Sequence, residues 1–145
     1  MANAIYPAAK VKWLTTGMNI TTLPIEAVLL RGYTYSSAHD NLDDIGAGLR
    51  IATQSMTGFA LTATVTVTSG GCTVTGPAVD CNNYIFTAVP AGAACESIVY
   101  YHASGVEGTS TLIFYQDDAT GLPVPPNGQD INVTIDNGDG RLFVL

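Results

Sequence analysis

The stretch that decides the fold class is residues 59–68, which read Phe59-Ala60-Leu61-Thr62-Ala63-Thr64-Val65-Thr66-Val67-Thr68. Phenylalanine, leucine, alanine and valine occupy the odd positions, and threonine or alanine occupies the even ones. Because successive side chains of a strand point to opposite faces, this alternation predicts a strand with one buried face and a threonine-rich outer face. Ser69-Gly70-Gly71 then predicts a turn, and residues 72–75 are expected to pair back on the strand.

Short apolar or alternating segments continue on both sides of that strand. The further candidate strands are residues 25–30, 49–56, 84–89, 97–102, 111–115, 131–135 and 141–145. Polar or glycine- and proline-rich stretches separate several of them, at residues 36–48, 104–108 and 121–128, and residues 136–140 have the composition of a tight hairpin connection. About eight or nine short strands with regular turn spacing predict an all-β fold, such as a β-sandwich, jelly roll or small barrel. We expect a single β-sandwich domain over residues 1–145.

Residues 1–18 are predicted to form a short N-terminal helix or an arm. Pro7 suits the first turn of a helix, and Gly17 is a natural stop. The amphipathicity between them is weak, which also fits an arm that becomes ordered only on a partner. No basic region followed by an apolar stretch opens the chain, so we expect it to be made and folded in a reducing cytoplasm.

The charge composition is unusual, because only 12% of the residues are charged, against roughly 25% in a typical soluble domain. A surface so poor in charge lacks the usual protection against self-association, which favours a protein that works docked to partners. The net charge is −7, and the basic residues are scattered: Lys10, Lys12, Arg31, Arg50 and Arg141. We therefore expect no direct binding of nucleic acid. Residues 51–79 carry no charge, but their period of two predicts strands rather than a membrane span.

The cysteine and aspartate residues of the chain do not follow the spacing of a known metal-binding motif. Cys72, Cys81 and Cys95 are odd in number and contain no Cys-x-x-Cys spacing, so zinc and redox motifs are absent from the sequence. Cys72 and Cys81 could face each other across a hairpin and oxidise, although buried thiols are the favoured interpretation. Asp136 and Asp139 resemble a fragment of a calcium loop, but no bidentate glutamate follows, and a turn is favoured. No metal or other cofactor is expected.

Catalytic residues are equally hard to assemble from the sequence. His39 and His102 are the two histidines, and no Gly-x-Ser-x-Gly elbow accompanies any serine, so a nucleophilic triad is not predicted. Glu26, Glu96 or Glu107 could pair with an aspartate for glycoside hydrolysis. The other acids cluster in loops, where solvated turn residues are expected. We therefore predict a protein that is not an enzyme.

Two pairs of adjacent aromatic residues favour a binding function. Tyr100-Tyr101 and Phe114-Tyr115 each place neighbours on opposite faces of a sheet, so one member of each pair is expected to face outward. An exposed tyrosine suits a protein interface or a platform for sugar rings. A carbohydrate-binding module is therefore an alternative to a structural assembly protein.

Two stretches together resemble a known family. The opening Ala2-Asn3-Ala4-Ile5-Tyr6-Pro7 and the closing Ala119-Thr120-Gly121-Leu122-Pro123-Val124-Pro125-Pro126-Asn127-Gly128-Gln129-Asp130-Ile131-Asn132-Val133-Thr134-Ile135-Asp136-Asn137-Gly138 resemble small virion proteins of tailed bacteriophages. In particular they are similar to the jelly-roll cement, or decoration, proteins of the capsid exterior. The resemblance implies a chain made in the host bacterial cytoplasm that binds the outside of the major capsid protein lattice, cross-links it and contacts its own copies as dimers. Another virion part, such as a tail or head-fibre component, is the related alternative.

The resemblance supplies no catalytic residues, and the expected site is an interface. An extended arm can add to an exposed sheet edge through main-chain hydrogen bonds, so the N-terminal segment and the proline-rich loop are the segments expected to reach a neighbour. The candidate interface residues are Ile5, Tyr6, Trp13, Leu122, Pro123, Val124, Pro125, Pro126 and Asn127.

Overall fold

The protein is mostly β, with antiparallel sheets and one short helix. The computed structural model describes residues 3–58, 60–69, 72–119, 121–135 and 143–144, with the backbone alone over residues 60–69, 72–78, 80 and 143–144. In these ranges the elements are β1 (Ala4–Ile5), α1 (Pro7–Thr15), β2 (Ile25–Leu30), β3 (Arg50–Ser55), β4 (Ala60–Ser69), β5 (Cys72–Asp80), β6 (Tyr84–Phe86), β7 (Ser97–His102), β8 (Leu112–Gln116), β9 (Ile131–Val133) and β10 (Phe143–Val144). Short 3₁₀ turns lie at Leu42–Asp44, Ala47–Leu49 and Glu107–Thr109.

The strands form three antiparallel sheets within the described residues. The central sheet has the order β1-β8-β7-β2-β3, and the others are β10-β5-β4 and β6-β9. The alternating stretch at residues 60–69 is strand β4, and β5 pairs back on it with Ser69 opposite Cys72, as predicted. The side chains of β4 lie outside the description, so the burial of one of its faces stays a prediction. The predicted hairpin connection at residues 136–140 lies outside the described residues, within which β9 pairs with β6 and β10 pairs with β5.

The central sheet is buried on both faces. On what we call the first face, Leu29, Tyr100 and Phe114 pack with residues of the other sheets, such as Val79 of β5 and Phe86 of β6. The second face is a separate apolar cluster, covered by the loops after β2 and by the residue that follows β1. Its buried members are Tyr6, Val28, Leu30, Tyr33, Leu42, Ile45, Val99, Tyr101, Leu112 and Tyr115. A strand buried on both faces reads as a continuous apolar run, which is what residues 25–30 and 97–101 contain.

This two-sided burial corrects the expectation for the aromatic pairs. Tyr100 and Phe114 lie on the first face, Tyr101 and Tyr115 lie on the second, and all four side chains are buried. The neighbours do point in opposite directions, but both directions lead into a core. These residues therefore do not form the exposed aromatic platform that sugar binding would use.

Tyrosine hydroxyl groups form hydrogen bonds with one another inside both cores. On the first face, the Tyr84 and Tyr100 hydroxyl oxygens are 2.8 Å apart, and Tyr100 donates to the Gln116 side-chain oxygen at 2.9 Å. On the second face, the Tyr6 and Tyr33 hydroxyls are 3.0 Å apart, and Tyr33 lies 2.9 Å from Nδ1 of His39. Burial raises the pKa of Tyr6, Tyr84 and Tyr100 above the usual value of 10.

The buried tyrosines predict a loss of stability at alkaline pH. Unfolded tyrosines ionise near pH 10, whereas the folded ones hold their protons to higher pH, so their contribution is complete below pH 10 and is lost as the pH rises above it. Each such tyrosine should lower the free energy of unfolding by about 1.4 kcal/mol per pH unit. Urea unfolding at pH 8, 10 and 11 measures this slope. Tyrosinate absorbance should appear together with the loss of circular dichroism, and tyrosinate that forms while the fold persists would contradict the assignment.

Candidate interface

Helix α1 begins and ends where the sequence predicts. Pro7 is its first residue, after Tyr6 in an extended conformation (φ −66°, ψ 138°). At its other end the amide of Thr16 donates to the carbonyl oxygen of Lys12 at 2.9 Å, and Gly17 follows with φ 65°. A residue with positive φ is a common helix terminator and favours glycine, which explains the stop.

One face of α1 packs on the central sheet. Ala9 is fully buried in the core of the first face, and Trp13, which is half-buried, packs against the same core. Lys12 lies on this side as well, and its ammonium group donates to the hydroxyl of Thr111. Small and aromatic side chains therefore hold the helix against β8 and its neighbours.

The opposite face of α1 is apolar and exposed. At about 100° per residue, positions 7, 10, 11 and 14 fall within an arc of about 100° that excludes Ala9 and Trp13. On this arc Leu14 is 88% exposed and Val11 is 57% exposed. Lys10 lies beside Leu14, on the side away from Val11, and it is the one exposed basic side chain in the part of the chain that the structure describes. We call Lys10, Val11 and Leu14 the outer face of α1.

The weak amphipathicity of this segment has a physical cause. A helix that packs on one side and is solvated on the other concentrates its apolar residues on one face, whereas α1 carries them on both. A helix that is apolar all round is usually covered all round. The chain's own sheet covers only the face of Ala9 and Trp13, so the outer face is suited to a contact with another molecule.

The N-terminal candidate residues lie closer to the core than predicted. Ala4 and Ile5 form β1, an edge strand that pairs with Tyr115 and Phe114 of β8. Tyr6 is fully buried, and its amide donates to the carbonyl oxygen of Ile113 at 2.9 Å. Tyr6 is therefore covered by its own chain, because the strand before it pairs within its own sheet, and its role as an interface residue stays a prediction.

Trp13 and Ile5 are half-buried against the core of the first face. Ile5 and Trp13 as interface residues stay predictions. The sequence analysis did not single out Lys10, Val11 and Leu14, and the signal that could have found them is the second apolar stripe of α1.

The proline-rich loop is fastened to the body by backbone hydrogen bonds. Val124 and Cys95 exchange two of them, at 2.9 Å each, and the amide of Gly92 donates to the carbonyl oxygen of Pro126 at 3.1 Å. Pro126 is buried in its own chain, and its role as an interface residue stays a prediction. The other loop candidates differ in exposure: Leu122 and Val124 are half-buried, and Pro123, Pro125 and Asn127 are exposed.

Leu122 and Val124 line a small apolar cavity of about 110 Å³. Leu29 and Ile98 of the central sheet also line it. The loop thus presents a proline surface to solvent above a body that holds it in one place.

A groove lies on the second face, beside the turn between β7 and β8. It has a volume of about 350 Å³ and is lined by Pro24, Glu26, Leu42, Tyr101, Ala103, Gly105, Val106, Glu107 and Ser110. Val106 at its edge is 63% exposed. The sequence did not predict this groove, because its walls come from β2, the loop after residue 40 and the turn at residues 103–110.

Carboxylates give the groove its charge. Tyr101 donates its hydroxyl proton in a hydrogen bond to the Glu26 carboxylate. Glu107 accepts two hydrogen bonds from Arg50, at 2.8 and 3.0 Å, and this pairing lowers the pKa of Glu107. Because Glu107 is held ionised, it does not match the protonated acid that glycoside hydrolysis requires. Glu96 lies elsewhere and accepts a hydrogen bond from the amide of Gly32.

The two histidines lie in different parts of the structure and contact different residues. His39 contacts Tyr33 on the second face. His102 lines a separate open groove of about 560 Å³ with Lys12, and burial, with the nearby Lys12 charge, lowers the pKa of His102. His39 also lies near the Asp44 carboxylate, but neither histidine hydrogen-bonds the serine, threonine or cysteine side chain that a triad requires, among the contacts of the described residues.

Cys81 and Cys95 are buried. The Cys72 side chain lies outside the described residues, and so do Asp136 and Asp139. Across the described ranges no group of three or more His, Cys, Asp or Glu side chains converges as a metal site requires. Nor does any helix there have the length and apolarity to cross a bilayer.

The chain matches no protein-family model, and no curated protein matches it.

The two faces of α1 should respond differently to substitution. Leu14→Gln should change the free energy of unfolding by less than about 0.5 kcal/mol, because the side chain makes little contact with its own chain. Trp13→Ala should cost about 1–3 kcal/mol, since it removes half-buried packing on the core. Urea unfolding of both variants measures the difference. A large loss for Leu14→Gln would mean that the outer face belongs to the chain's own fold.

Proposed function

We propose that the chain is a non-enzymatic structural protein that binds the outside of the major capsid protein lattice of a tailed bacteriophage and cements it. The observation that carries the proposal is the exposed outer face of α1, with Leu14 at 88% exposure. An apolar helical face left in water favours a protein that is docked in its working state. The resemblance of residues 2–7 and 119–138 to virion cement proteins supplies the kind of assembly.

The proposed fold is a β-sandwich of the jelly-roll kind. In this proposal the central sheet is one layer, and β10-β5-β4 with β6-β9 covers its first face. Val79 of β5 and Phe86 of β6 support it, because both lie in the same core as Leu29 and Tyr100 of the central sheet. A sandwich with both inner surfaces filled leaves its helix, loops and turns for contacts with neighbours.

The low charge of the surface supports a contact role. Charged residues make up only 12% of the chain. A surface with so few charges is suited to being covered by neighbours, because it has little need to repel other copies. A typical stable interface buries about 1,600 Å² in total, and a small chain can reach this by combining several modest contacts. Two surfaces are available: the outer face of α1, and the exposed prolines Pro123 and Pro125 of the loop.

The mechanism follows from linkage. A protein that binds the assembled lattice and not the separate shell subunits stabilises the assembly by its binding free energy. Contacts to more than one neighbour raise the effective concentration of each further contact, so each link can be weak while the whole array holds. Such links resist the outward pressure of packaged DNA without any chemical step.

The direct test is binding to shells. Purified chain is mixed with DNA-free shells assembled from the major capsid protein of the same phage, then sedimented, and the shell melting temperature is measured by scanning calorimetry. The chain should co-sediment and raise the melting temperature. Equal melting temperatures with and without the chain, and a chain that stays in the supernatant, would contradict the proposal.

A pair of variants locates the contact in that assay. Leu14→Asp should weaken retention on shells about tenfold or more, because it places a charge in a contact meant to be desolvated. Ile85→Asp is the matched control, since Ile85 on β6 is also an exposed large apolar residue, at 42%. Equal retention of the two variants would remove α1 from the contact surfaces.

A further inference from the structure

We propose, on the basis of the structural function above, that the outer face of α1 in one copy docks into the groove beside Val106 of a second copy. The contact joins copies head to tail. The helix supplies a convex ridge with Val11 and Leu14 at its top, and the groove supplies a concave surface with Leu42 and Tyr101 in its walls.

Charge favours this pairing of surfaces. The outer face of α1 carries Lys10, the one exposed basic side chain of the described residues, and the helix has no acidic residue. The groove carries Glu26 and Glu107 in its walls. Opposite charges across an interface guide association and exclude wrong partners.

The groove keeps a net negative charge despite its one cation. Arg50 is held by both oxygens of Glu107, so its charge is matched within its own chain. Glu26 remains, and Asp43 lies beside the groove with a carboxylate oxygen 3.2 Å from the site that a side chain on Gly108 would occupy. Lys10 of a docked helix would meet this surplus of carboxylates.

The apolar parts also match. Leu14 and Val11 are two of the four large apolar side chains that are exposed in the described residues, and Val106 at the edge of the groove is a third. Docking the helix in the groove brings these three together and removes them from water. The remaining one, Ile85, lies on β6 and takes no part.

A symmetric contact between two α1 helices fits less well. It would place Lys10 of one copy near Lys10 of the other, and like charges brought together across an interface oppose association. A contact between two different surfaces leaves one helix and one groove free at the ends, so it continues into a ring or an open row. Rows of this kind can bridge neighbouring positions of a shell.

The test uses two variants of the full chain that each disable one half of the contact. Leu14→Asp disables the helix and leaves the groove, and Val106→Asp disables the groove and leaves the helix. Both side chains are mostly exposed, so both variants should fold. The wild-type chain should associate in sedimentation at concentrations up to about 1 mM, and each variant alone should associate at least about tenfold more weakly.

The mixture of the two variants is the decisive sample. Head-to-tail contact predicts that they form a complex of twice the 15.1 kDa chain mass that grows no further, because one intact helix meets one intact groove. Lys10→Glu should weaken the wild-type association about tenfold, and added salt should weaken it as well. Ile85→Asp should associate like the wild-type chain.

Three results would overturn the proposal. A mixture that stays monomeric, or wild-type chain that stays monomeric at about 1 mM, would exclude the contact between copies. Variants that each still form dimers alone would indicate a symmetric contact. Binding of the wild-type chain to vesicles of anionic lipid, lost in Leu14→Asp, would assign the helix face to a membrane surface. Shell co-sedimentation of the wild-type chain is measured separately, so it can succeed when this proposal fails. Shell retention that is lowered by Leu14→Asp and unchanged in Val106→Asp would assign the outer face of α1 to the shell protein and would also overturn the proposal.

Discussion

The structure depends on a central sheet that excludes water from both of its faces. Strands β2, β7 and β8 place their side chains alternately into two separate cores, and Tyr100 and Tyr101 show how neighbours serve opposite ones. A tyrosine buried in either core needs a partner for its hydroxyl, and the networks around Tyr84 and Tyr33 supply it. This double burial uses most of the large apolar residues of the described chain and leaves few for the surface.

Two surfaces keep exposed apolar side chains, and these are the surfaces where contact with other molecules is expected. Helix α1 has two apolar faces, of which the chain covers one, and the groove beside the β7–β8 turn carries an exposed Val106. The helix presents the exposed basic side chain Lys10, whereas the groove contains Glu26 and Glu107. A low overall charge makes these local charges more decisive, because few others compete with them.

Local sequence patterns predicted the elements well and their partners less well. Residues 25–30 and 97–102 are strands with the predicted bounds, since apolar runs and turn residues are read from neighbouring positions. Strands β9 and β10 pair with strands that are far away in the sequence, which no local pattern reveals, and the hairpin expected across residues 136–140 lies outside the described residues. The groove could not be predicted for the same reason. The burial of Tyr6 could not be predicted because nothing local reveals that β1 pairs within its own sheet.

We propose that the outer face of α1 is an interface which the isolated chain leaves open. Hydrogen–deuterium exchange, measured on the free chain and on the chain bound to shells, tests it most directly. A covered helix opens less often, so the amides of α1 should exchange at least about tenfold more slowly in the assembly, whereas those of β6 around Ile85 should be unchanged. Equal exchange of α1 in both states would contradict the account.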